Sequence, residues 1–143
     1  MIKSMINSKF EKITGKYFNL KIKKHSYRIY MEESGKGFPL LCLHTAGSDS
    51  RQFRHVLNDA EITKNFRVIT FDLPWHGKSN PPEGHEDIDY KLTTKDYIDI
   101  INSFCKSMNL IQPVVMGCSM GGRIVLHLAL KFPKLFRGVI ALE

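Results

Sequence analysis

No apolar run in the 143-residue chain approaches the roughly 18 residues needed to cross a bilayer. Its first residues show no apolar segment followed by a small-residue cleavage site, so no secretory leader is expected. Cysteine is scarce. Cys42, Cys105 and Cys118 are odd in number and lack metal-ligand spacing, which argues against a disulfide framework or a metal cluster. No metal and no cofactor is expected, and a reducing, cytoplasmic setting is the default. Internal repeats and low-complexity tracts are absent. Basic and aromatic residues do not interleave as a nucleic-acid surface requires, so nucleic acid is not an expected partner.

What is present fits one modest globular domain, with 43% hydrophobic and 24% charged residues. The net charge of +7 is lopsided. Residues 1–36 hold nine Lys and Arg against Glu11, Glu32 and Glu33, and the remainder is close to neutral. The surplus therefore belongs to the N-terminal segment, not to a groove built by the whole fold. Met1-Ile2, Met5-Ile6, Phe10 and Ile13 recur at helical spacing between lysines. That pattern suits an interfacial helix or a targeting segment, but the stretch contains no arginine, and residues 1–16 read as a basic tail.

From residue 17 the chain alternates its elements. Phe18–Ile22 and Tyr27–Met31 have a period of two and form an expected strand hairpin, joined by residues 23–26. Leu40–Leu43 is short and wholly apolar, as in a strand buried on both faces, and it ends at His44-Thr45-Ala46-Gly47. Asp49 with Gln52 forms a capping pattern for a helix carrying Phe53, Val56 and Leu57 inward. The next strand, Phe66–Phe71, runs into Asp72-Leu73-Pro74-Trp75-His76-Gly77-Lys78-Ser79, followed by a polar loop over residues 80–92. Thr93 with Asp96 caps a second helix, whose stripe is Tyr97, Ile101, Phe104, Cys105 and Met108. A strand at Val114–Met116 enters Gly117-Cys118-Ser119-Met120-Gly121-Gly122, and a helix follows with Ile124, Val125, Leu128 and Phe132 inward. Gly138–Leu142 is expected as one more buried strand. Strands and helices in this order predict an α/β fold: a mostly parallel central sheet with helices on both faces.

The stretch at Gly117–Gly121 is a G-x-S-x-G pattern between a strand and a helix. Glycine at 117 and 121 removes Cβ atoms where the chain doubles back. The turn sets Ser119 at a helix N-terminus, whose free N–H groups favour developing negative charge.

Three separated signatures coincide: the strand ending in His44-Thr45-Ala46-Gly47, the loop Asp72–Ser79, and the elbow at Gly117–Gly121. Together they resemble the N-terminal half of an α/β-hydrolase-fold enzyme, over residues 17–143. The elbow is similar to those of small esterases and carbon–carbon bond hydrolases. The resemblance implies that Ser119 is the nucleophile of an acyl-enzyme mechanism. It also implies that the N–H groups of Met120 and Ala46 form the oxyanion hole, with a small-molecule acyl compound as substrate. Thr45 stands where the family has a glycine, so its side chain could replace a donor and the Ala46 assignment is open by one residue. Trp75 also stands where a glycine is common.

The family's chain order is Ser, then Asp or Glu, then His. The 24 residues after Ser119 are too few for the strands that carry the acid and the histidine. The expectation is therefore a partial sequence of a longer enzyme, inactive by itself, whose lid is also missing. A non-catalytic binding or receptor module on the same fold is the alternative. Other residues have plainer readings: His44 as a turn residue bonded to backbone, Asp72 as the anchor of its own loop, Cys118 as a small hydrophobe, and Arg123 as a solvated helix residue.

Overall fold

The computed structural model describes residues 10–143 apart from Ile88. The first nine residues of the expected tail lie outside the described residues. Six strands form one sheet in the order β1-β2-β4-β3-β5-β6. They are β1 (Thr14–Ile22), β2 (His25–Ser34), β3 (Phe38–Leu43), β4 (Phe66–Phe71), β5 (Val114–Cys118) and β6 (Gly138–Leu142). β1 and β2 pair antiparallel, as do β2 and β4, whereas β4, β3, β5 and β6 run parallel.

The hairpin extends further than its alternating residues. Pairing runs from Thr14 opposite Glu33 to Ile22 opposite His25, so β1 begins before residue 17, where the domain boundary was expected. Backbone bonding needs no apolar alternation, and Lys16 adds a 2.7 Å ion pair to Glu33 near the open end.

Strand alternation divides the core in two. Leu41, Leu43, Ile69, Phe71 and Val115 face helices α3 (Thr94–Ser107) and α4 (Met120–Lys131). There Phe71 stacks on Phe104 with ring centroids 4.3 Å apart. Leu40, Cys42 and Val68 face the opposite way, onto Phe53 and Leu57. Thr93 and Asp96 form the expected capping box on α3.

Two expectations are corrected. The single helix after Asp49 is a 3-10 turn (Ser50–Phe53) followed by the short α1 (Arg54–Asn58) and α2 (Ala60–Asn65). Asp59 starts α2 by accepting the N–H groups of Glu61 and Ile62. Gly138–Leu142 is a strand but not a buried one: it is the sheet edge, with Ile140 and Leu142 exposed. No helix among the described residues is long and apolar enough to cross a membrane.

The chain reverses its direction of travel at β3. From there it adds β4 on one side, then returns to place β5 on the other. Open α/β sheets bind ligands at such a reversal, outside the carboxyl ends of the strands.

Candidate active site

At the carboxyl end of β5 the backbone turns at Ser119, with φ 50° and ψ −109°. Few non-glycine residues adopt this conformation, and holding one there costs about 1–3 kcal/mol. Close packing enforces it. A Cβ at Gly117 would meet the backbone of Gly121 and Gly122, and one at Gly121 would meet the carbonyl oxygen of Leu43, all within 3.0 Å. Glycine at both positions lets α4 rest directly on the ends of β5 and β3.

Both peptide groups of Ser119 are tied down. Its N–H donates to the Leu142 carbonyl at 2.9 Å, and its carbonyl accepts the Arg123 N–H at 2.8 Å. The Ser119 side chain is exposed and makes no hydrogen bond among the described residues. It opens onto a shallow depression shared with Met120, Arg123, Leu126, Ala141 and Leu142.

Met120 is the first residue of α4, so its N–H has no intrahelical acceptor and points at the helix N-terminus. Ala46 reaches the same end of the sheet. Leu43 on β3 pairs with Gly117 on β5, so the turn after β3 and the elbow after β5 stand about one strand spacing apart, roughly 4.8 Å. Thr45 and Ala46 differ in one respect. The Thr45 N–H is consumed by Gln52 Oε1 at 2.8 Å, whereas the N–H of Ala46, an exposed residue, has no partner among the described residues. Gln52 is the residue that the capping pattern misassigned: Asp49 caps through Arg51 N–H instead. The capping pattern gave no signal for this bond, because it depends on the turn folding back over the helix start.

Beneath the turn lies His44, fully buried. Its Nδ1–H donates to the Thr45 carbonyl at 2.8 Å, and its Nε2 accepts the Leu73 N–H at 3.1 Å. This fixes a neutral tautomer, and burial pushes the imidazole below its ordinary pKa. With both nitrogens engaged, His44 links the loop after β3 to the loop after β4 and is not free to act as a base. Asp72 is equally committed. It accepts the Ser50 N–H and the Lys78 N–H, each at 2.7 Å, and the Ser50 hydroxyl.

The thiols of Cys42 and Cys105 are each pushed up to about 12 by burial, while Cys118 is half-buried beside the elbow. Among the described residues no three His, Cys, Asp or Glu side chains gather as metal ligands would.

Residues 39–143 match the family model described as "alpha/beta hydrolase fold". The chain belongs to the alpha/beta hydrolase fold family. Among its relatives is 2-(acetamidomethylene)succinate hydrolase of Mesorhizobium japonicum, 29% identical over 79% of this chain and 38% of that protein. Another is bifunctional epoxide hydrolase 2 of Sus scrofa, 29% identical over 84% of this chain and 21% of that protein. A solved N-acyl homoserine lactonase complexed with N-hexanoyl homoserine superposes with a TM-score of 0.71. It is 35% identical, over 88% of this chain and 44% of that structure. This alpha/beta hydrolase fold chain thus spans less than half the length of each of the three.

Proposed function

We propose that the protein is a serine hydrolase that works through an acyl-enzyme on an ester, thioester, lactone or carbon–carbon ketone substrate. The observation that carries this reading is the strained, exposed Ser119 between a strand end and a helix N-terminus. Ser119 Oγ would attack the acyl carbon while its proton passes to a base, giving a tetrahedral oxyanion held by the N–H groups of Met120 and Ala46. Collapse expels the leaving group, and water then releases the acyl group by the same steps. Loss of one such donor typically raises the barrier by about 2.7–4 kcal/mol. The chain's likeness to a lactonase and to other hydrolases supports acyl chemistry as a class.

None of the six histidines is hydrogen-bonded to Ser119 among the described residues, and His44 has no free nitrogen. The reading therefore assigns the acid and the base to residues outside this sequence and treats 17–143 as one part of the hydrolase domain. It also assigns a reducing, cytoplasmic setting, in keeping with three free thiols.

A fluorophosphonate probe tests the assignment. Covalent labelling of the full-length protein is expected at Ser119 and is lost in Ser119→Ala. An unlabelled, folded protein that still binds small acyl compounds would instead make the fold a non-catalytic binding module. Hydrolysis of a short p-nitrophenyl ester by the 143-residue chain alone would overturn the placement of the base.

A further inference from the structure

The chain has one tryptophan, Trp75, in the loop after β4. Its backbone is left-handed, with φ 70°, a conformation that favours glycine. The indole packs edge-on to His85, with centroids 5.3 Å apart, and lies 5.7 Å from Tyr90. Beside it a cavity of about 270 Å³ opens between the β1–β2 turn, this loop and the start of α3. That is just under the roughly 300–1,000 Å³ of drug-sized sites, so any occupant is small.

Rings and carboxylates line this cavity together. Tyr27, Trp75 and Tyr90 supply aromatic surface, and Asp89, Asp96 and Asp99 supply charge. Asp99 is neutralised by Lys23 at 3.3 Å and Lys95 at 2.8 Å. Asp96 accepts the Thr93 N–H, and neither it nor Asp89 has an ion-pair partner among the described residues. The remaining cation at the rim is the exposed Lys91. Burial, and after it the charge of Asp96, raises the Tyr27 hydroxyl above its ordinary pKa, so that carboxylate acts across the cavity. The three carboxylates are matched in number by Lys23, Lys91 and Lys95, but Asp89 and Asp96 stand without an ion-pair partner among the described residues, beside aromatic walls. An anion would be repelled by the carboxylates. A strongly hydrated ion would gain nothing from the rings. An ammonium carrying methyl groups satisfies both surfaces, because its charge is attracted to carboxylates and to ring faces while its methyls are apolar.

We propose that the cavity lined by Trp75, Tyr27 and Tyr90 binds a small quaternary or alkylated ammonium group, with the charge facing Asp89 and Asp96. The site is independent of Ser119 chemistry.

Trp75 is the reporter, because its emission, excited selectively, comes from this cavity alone. Choline is titrated against its neutral isostere, 3,3-dimethylbutan-1-ol, with calorimetry as a second readout. Choline is expected to give a saturable change, with the alcohol weaker by about tenfold or more. Asp89→Asn combined with Asp96→Asn, which keeps the helix cap, should remove the preference. Trp75→Gly, suited to the backbone there, should abolish calorimetric binding while circular dichroism stays native, and Ser119→Ala should bind choline like the wild type. Equal binding of the alcohol, retained preference in the Asn variant, or no saturable choline signal by either readout would overturn the proposal. None of these results bears on whether Ser119 is a nucleophile.

Discussion

Replacing Gly117 by alanine puts a methyl group into space already held by the backbone of Gly121 and Gly122. None of these atoms is the end of a flexible side chain, so the start of α4 must move by several tenths of an ångström. That helix carries Ile124, Val125 and Leu128 into the larger core, and their contacts loosen with it. Overpacking costs about 1–3 kcal/mol, and a clash of backbone with backbone belongs at the upper end. With an m-value of about 1.5 kcal/mol/M, a loss near 3 kcal/mol lowers the urea midpoint by about 2 M. Gly138→Ala is the control. A Cβ there meets nothing within 4 Å, and alanine restricts the unfolded chain, so its midpoint should hold or rise slightly. Urea unfolding followed by circular dichroism compares the two variants at one protein concentration. If Gly117→Ala and Gly138→Ala unfolded together within about 0.3 M, the close packing of β5 on α4 would not be what holds the elbow.

Ser119→Gly removes the steric penalty at φ 50° and should stabilise the protein by about 1 kcal/mol. Scanning calorimetry should then show a Tm higher by about 4 °C, while Ser119→Ala stays near the wild type. At mildly alkaline pH a thiol reagent should modify Cys118 quickly, and Cys42 and Cys105 only after denaturant is added; three fast thiols in the native state would contradict their burial. His44, held neutral by burial first and by nearby His76 against the opposing pull of Asp72 and Asp49, has a lowered pKa. The unfolded chain takes up this proton near pH 6.5 and the folded chain does not. Stability should therefore fall as pH drops below about 6.5, by up to about 1.4 kcal/mol per pH unit from this one group. His44→Gln should flatten Tm against pH between about 7.5 and 5, and an unchanged slope would refute the assignment.

The strand and helix order was legible because short apolar runs such as Leu40–Leu43 and the stripe Tyr97, Ile101, Phe104 carry the periods of their own elements. The roles of the loop residues were less so. Asp72 and His44 read as anchors from their positions beside turns, and their backbone partners agree. Gln52 read as half of a local cap, yet it serves Thr45 seven residues back, a bond that exists only once the turn folds over the helix start. The split of one expected helix at Asp59 followed from a capping side chain that stops and restarts the backbone within a single polar stretch.

By itself the sequence determined the local geometry: the glycines that permit a close turn at 117 and 121, the alternation that makes strands, and the family of the fold. Only the tertiary structure decided which amides stay unpaired, that β6 is an exposed edge, and that Trp75 and carboxylates contributed by α3 line one cavity. Periodicity and turn chemistry act over a few residues. Which groups lose water, find a partner or stay open depends on segments brought together from across the chain.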